Sequence, residues 1–283
     1  TGFYALLCEK TLGIGYEDWV KYLPCDKAVA VQTENTGEAL PYTISTARES
    51  GWSWRIPLQH RTGNGYVYSS EHISDDEATE KLLSFVDGKT ITEPMVIPFR
   101  AGVRETIWNK NCLAIGLSSG FIEPLEATAL HLVVRGMDFF LRFFPDQDCE
   151  PALIDEYNRR MRMDYEEIRD FIVLHYCTTQ REDTPFWKHC KNMEIPESLA
   201  ERIELFKAHG ALREGVDELF RPASWQSVLD GMGIRPEKYC PRIDTIDYKL
   251  IEDTLKEADE SISGMVQKLP SHDDFLRQNY RAI

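Results

Sequence analysis

The spacing of apolar residues changes period once along this chain, at the small-residue stretch Gly116-Leu117-Ser118-Ser119-Gly120. Ahead of it, short apolar runs read as strands. Behind it, apolar residues recur three and four apart, as on helices. Strands are predicted over 28–32, 42–46, 52–59, 65–69, 95–99, 104–108 and 111–116, the last two joined by a turn at Asn109-Lys110. Thr62-Gly63-Asn64-Gly65 predicts a tight hairpin, because Asn and Gly both tolerate positive φ. Pro57 lacks an N–H and belongs at an edge or a bulge. One helix interrupts the strands: Ser74-Asp75-Asp76-Glu77 is a capping box, followed by an apolar stripe at Ala78, Leu82, Leu83 and Phe85.

Past the switch, helices are predicted over 124–144, 151–176, 197–208, 222–230, 247–268 and 271–281. The second carries a charged face at Arg159, Arg160, Arg162, Glu166 and Glu167. The expected class is α/β, or α+β if the chain is a fragment: an antiparallel-sheet region over 1–123 and a mainly helical region over 124–283. With 32 basic and 47 acidic residues the formal charge is −15, which argues against nucleic-acid or anionic-membrane partners. No apolar run approaches the roughly 20 residues of a membrane span. The seven cysteines are scattered without a C-x-x-C pair, so reduced thiols, a cytoplasmic location and no metal site are expected.

Three strings carry more than class. In Gly51-Trp52-Ser53-Trp54-Arg55-Ile56-Pro57 two indoles stand at i and i+2, on one face of a strand, which predicts a flat aromatic wall. Such a pair serves core packing as readily as a cofactor. In Gly116 to Thr128 a small-residue turn runs into Pro124-Leu125-Glu126, which reads as a helix start. Pro124 would fit its first turn, and Glu126 would oppose the helix dipole there. A turn of this kind also suits an anion or a flavin edge. Asp183-Thr184-Pro185-Phe186-Trp187 reads as a turn opening a new segment.

In this order the three strings resemble the flavin-dependent tryptophan halogenase family. Trp52, Trp54, Ile56 and Pro57 match its W-x-W-x-I-P signature position for position. The resemblance implies an FAD-dependent hydroxylase-like two-domain fold. It also implies reduced FAD (FADH2) from a separate flavin reductase, and a halide, chloride or bromide, converted with O2 to hypohalous acid. The product is an electrophilically halogenated small aromatic such as an indole. It implies that Glu126 is catalytic and that Thr128 and Ala129 bind halide through their backbone N–H groups. It places Gly116, Ser118, Pro124, Leu125, Trp52 and Trp54 by the flavin, and Phe220 and Trp225 by the substrate.

Ala127 departs from the family, which has Ser beside the catalytic glutamate. The stretch Glu218 to Gln226 is shorter than the family's aromatic-rich insertion, so a substrate other than free tryptophan is expected. Thr1-Gly2-Phe3 resembles an internal family segment, and neither a G-x-G-x-x-G loop nor the family's lysine precedes it. The chain is therefore expected to be a C-terminal portion. Two rival readings stand beside this one: a flavin monooxygenase of the same fold, and a non-catalytic fragment or interaction module. The oligomeric state is open.

Overall fold

The structure, a computed structural model, describes residues 5–38, 40–215 and 217–280; Thr1-Gly2-Phe3 lies outside them. Ten strands form three antiparallel sheets: β1 (Tyr16–Asp18), β2 (Lys27–Thr33), β3 (Ile44–Arg48), β4 (Gly51–Pro57), β5 (Thr62–Tyr68), β6 (Met95–Pro98), β7 (Gly102–Arg104), β8 (Trp108–Asn109), β9 (Cys112–Leu113) and β10 (Gly120–Phe121). The main sheet has the order β3-β4-β5-β2-β6; β1-β7-β10 and β8-β9 are smaller. The helices are α1 (Asp75–Phe85), α2 (Ala129–Arg142), α3 (Pro151–Cys177), α4 (Pro185–Asn192), α5 (Glu197–His209), α6 (Pro222–Gly231), α7 (Tyr248–Val266) and α8 (His272–Asn279). None is long and apolar enough to cross a membrane.

The main sheet corrects the expected hairpin. Asn64 and Gly65 lie inside β5, opposite Arg55 and Trp54, and the turn falls instead at Leu58 to Arg61, whose Leu58 N–H donates to the Arg61 carbonyl at 2.9 Å. Gly65 answers a steric demand and not a turn: a Cβ there would sit 2.0 Å from Cζ2 of Trp54, whose indole lies across the bare glycine. Pro57 is on an interior strand, not an edge. It closes β4 opposite Thr62, beyond the last β3–β4 pair at Ile44 and Arg55, so its missing N–H forfeits no bond to β3.

The capping box at Ser74 and Glu77 is present. Ala78 and Leu82 bury against Val29, Val31, Tyr66 and Tyr68, but Leu83 faces solvent. The strands expected over 104–108 and 111–116 shrink to β7, β8 and β9. A turn of 3₁₀ helix over Leu125–Ala127 precedes α2, which begins five residues later than expected, and α4 was not anticipated.

The 27-residue α3 is the spine of the molecule. Ile168, Ile172, Val173 and Leu174 have no exposed surface, and α2, α4, α5 and α6 pack around them. One apolar core runs from Trp19, Trp52 and Val67 on the sheet side to Tyr176, Phe186 and Trp225 among the helices. It therefore crosses the point where the apolar period changes, and brings the end of β4 against the loop that leads into α2.

Candidate functional site

Trp52 and Trp54 project from the same face of β4, but not as a flat wall. Their ring centroids lie 6.0 Å apart with planes tilted by 54°. Trp54 is half-buried and lines a cavity of about 660 Å³. Trp52 is buried behind it, and its Nε1–H donates to Glu123 Oε1 at 3.1 Å. The expected cofactor-facing pair is thus divided: one indole reaches the cavity, and the other anchors it.

Glu123 was not singled out in the sequence. It has no exposed surface, and besides Trp52 it accepts from the Tyr176 hydroxyl at 2.8 and 2.9 Å, one contact to each carboxyl oxygen. The Tyr176 hydroxyl also lies 3.5 Å from Cys25 Sγ. Burial pushes the Glu123 carboxyl up to about 7, against the opposing pull of its two donors. A carboxyl group so enclosed joins β4, α3 and the Pro124 loop at one point.

The expected helix start at Pro124 is replaced by a tight turn. Ala127 N–H donates to the Pro124 carbonyl at 2.9 Å, and Glu126 (φ 69°) and Ala127 (φ 52°) both adopt left-handed backbone. Two consecutive non-glycine residues there cost on the order of 1–3 kcal/mol each, so the surrounding contacts must hold them. Glu126 therefore does not sit on a helix dipole. The turn lifts its carboxylate toward α3, where Oε1 lies 3.3 Å from Nε2 of His175.

Thr128 caps α2 and is 3% exposed, yet its hydroxyl has no hydrogen-bond partner. Ala129 opens the helix, where the first N–H groups lack intrahelical acceptors. An orphaned hydroxyl beside free N–H groups is a donor set suited to a small anion.

Leu117, Phe121 and Pro124 line the large cavity with Trp54; Tyr16, Pro98 and Phe99 add further flat or apolar surface. Of its charged lining, Arg104 is paired with Glu9 at 2.8 Å, Arg100 is paired with Asp18, and Lys10 stands beside them. The apolar groups fit a planar ring system. Gly116 lies on the other side of Leu117 and Phe121, against a second apolar space of about 190 Å³ that Ala129 also lines. It holds φ 62°, a conformation that favours glycine. Ser118 closes its own turn, donating to the Ile115 carbonyl at 2.8 Å and accepting the Ile115 N–H at 3.0 Å. Leu125 is half-buried against the core.

Phe220 and Trp225, expected by the substrate, are both buried. They are 8% and 1% exposed, and they pack on Phe171 with centroid distances of 3.7 and 4.9 Å. Phe171 in turn meets the His175 ring edge-on at 5.2 Å. Glu167, expected on a solvated face, instead accepts the Leu219 and Phe220 N–H groups at 3.2 and 3.0 Å, and burial raises its carboxyl to about 7. The third string is structural: Thr184 caps α4, its hydroxyl donates to the Glu49 carbonyl at 2.8 Å, and Trp187 Nε1–H donates to the Arg48 carbonyl at 2.6 Å. Together they clamp the β3–β4 turn.

Comparison with known proteins gives the family. A family model described as tryptophan halogenase matches residues 1–248. The tryptophan 6-halogenase of Streptomyces toxytricini is 36% identical over 98% of this chain and 54% of its own length. The tryptophan 7-halogenase of Lentzea aerocolonigenes is 30% identical over 99% and 57%. Among solved structures, a flavin-dependent halogenase from Xanthomonas campestris is 43% identical with a TM-score of 0.97, covering all of this chain and 57% of that one. Another, from Brevundimonas sp. BAL3, is 44% identical with a TM-score of 0.94, covering 98% and 57%. The chain thus spans about half the length of the curated relatives it matches.

Proposed function

This chain belongs to the tryptophan halogenase family, and from that premise we propose that it carries the halogenating site of a flavin-dependent halogenase. The observation that supports this reading most is the meeting of two distant strings at one cavity. Trp54 and Pro124 line the same space, and the turn that follows carries Glu126 and Thr128. Reduced FAD, when bound, supplies the two-electron chemistry that converts O2 and halide to hypohalous acid.

The chain's own residues do the rest. Trp54, Leu117 and Pro124 offer apolar surface to a flat ring, beside Arg100 and Arg104, which are paired with Asp18 and Glu9. The Thr128 hydroxyl and the first N–H groups of α2 hold the halide, because positive charge density at a helix N-terminus favours an anion. Glu126 holds or moves a proton at the reacting aromatic carbon. Trp52 and Glu123 position this surface without touching the reactants. A separate flavin reductase supplies the reducing equivalents.

The substrate is an electron-rich ring, an indole or a phenol, other than free tryptophan. The short segment before α6 supports this. So do the higher identities to the two flavin-dependent halogenase structures than to the two tryptophan halogenases above.

The test uses the polypeptide as its gene encodes it, with FAD, a flavin reductase, O2 and a panel of indoles and phenols, followed by mass spectrometry of the products. A halogenated product that requires added chloride or bromide is expected. A hydroxylated product independent of halide would make the protein a monooxygenase instead, and a polypeptide that binds no flavin would overturn the reading.

A further inference from the structure

The catalytic reading of Glu126 leaves a neighbour unexplained. His175 sits in the last turn of α3, with Nε2 3.3 Å from Glu126 Oε1. Its other nitrogen, Nδ1, is 2.8 Å from the Phe171 carbonyl, one helical turn back. A carbonyl only accepts, so Nδ1 carries a hydrogen. A neutral ring of that tautomer would turn the Nε2 lone pair toward Glu126. If Glu126 were ionised at the same time, two lone pairs would face each other. One proton between the two groups, on Glu126 with a neutral ring or on Nε2 with a carboxylate, turns this close approach from repulsive to attractive.

The ring is held to this task. Phe171 meets it edge-on; behind Phe171, Phe220 stacks and Trp225 meets it edge-on, so one side of the imidazole rests on a packed aromatic cluster. Titratable and charged groups stand on the neighbouring elements. The loop side supplies Glu126 and, further in, Glu123, whose carboxyl feels the His175 ring. From α5, Arg202 lies over Trp225 at 4.2 Å and is paired with Glu218. Lys207 on the same helix is paired with Glu204.

We propose that His175 is the positioning and proton-holding partner of Glu126, and that the pair carries the single proton which halogenation spends and recovers in each turnover. The inference rests on the reading of Glu126 given above. The bookkeeping closes. The pair's proton passes to the hydroxyl oxygen of hypohalous acid, the halogen–oxygen bond breaks with its electrons on oxygen, and water leaves. The halogen bonds to the ring carbon through a ring π pair. The C–H bond at that carbon then breaks, its electrons restore the aromatic system, and the proton returns to Glu126. The sum is HOX + ArH → ArX + H2O, with the pair unchanged. A lone carboxylate could take up the ring proton but would not begin the cycle loaded. The Phe171 carbonyl fixes the tautomer, so the loaded state is built into α3.

Two readouts test this. In the chain itself, ¹⁵N NMR of the imidazole reports the proton directly: Glu126→Gln should move the Nε2 resonance and leave Nδ1 nearly in place. An Nε2 resonance indifferent to Glu126→Gln would overturn the proposal. In the gene-encoded polypeptide, supplied with flavin, reductase, halide and aromatic substrate, His175→Gln should lower kcat by about 10-fold or more, with KM for the aromatic unchanged and an altered pH–rate profile. The double variant should be no slower than Glu126→Gln alone, because the two residues act as a unit. Loss of turnover in Glu126→Gln with a normal rate and pH profile in His175→Gln would overturn this inference and leave the role of Glu126 standing. Full activity in Glu126→Gln would remove both.

Discussion

Glu123 was invisible in the sequence because Ile-Glu-Pro reads as an ordinary polar approach to a helix. Its chemistry appears only when β4 and α3 arrive with two donors and close it from water. The consequence is a dependence of stability on pH. The ordinary value of 4.5 applies in the unfolded chain, and burial raises the folded value to about 7. Below 4.5 both states hold the proton. Between the two values only the folded state does, so stability falls as pH rises through that window and is level above it. The fall is on the order of 3 kcal/mol. Glu123→Gln keeps an acceptor for Trp52 and a polar contact for Tyr176 but does not titrate. Urea unfolding from about pH 4.5 to pH 8 should therefore show the parent losing stability relative to Glu123→Gln, on that scale. A pH-independent difference would mean that the folded state does not hold Glu123 neutral.

Among the elements, the long periodic ones were legible and the short irregular ones were not. The boundaries of α3, α5 and α6 follow from apolar spacing and flanking Pro, and those of α1 from its capping box. Asn64-Gly65 misled because the turn signal and the steric demand select the same residue. Glycine was needed as the floor under Trp54, which stands directly opposite on the partner strand, and that pairing is not written in the local sequence. The site was legible as strings, while its arrangement was not: the left-handed turn at Glu126 and Ala127 has no local glycine to announce it. Two predictions belong here. Gly65→Ala places a methyl inside the Trp54 ring and should cost about 1–3 kcal/mol in denaturant unfolding, with a shift in tryptophan emission. Thr184→Ala removes the α4 cap and the tie to the β3–β4 turn, and should cost about 1–2 kcal/mol by the same measurement. An unchanged midpoint in either variant would contradict the packing described for that element.

Across the whole molecule, an apolar core joins the sheet to the helices, and the loop between them carries Glu126. Trp52 hands Glu123 a hydrogen bond from the sheet, Tyr176 hands it another from the spine helix, and the loop beginning at Pro124 is thereby held over the cavity that Trp54 lines. Helix α7 contributes no buried residue, so the described site does not draw on it. The turn over Pro124 to Ala127 lifts Glu126 out of the helix start and toward α3. The most direct measurement is bromination of an indole by the gene-encoded polypeptide, with flavin, reductase and bromide, comparing the parent with Glu126→Gln at equal flavin occupancy. Brominated product slower by at least about 100-fold in Glu126→Gln is predicted, with flavin binding intact. Equal bromination rates in the two proteins would contradict the account.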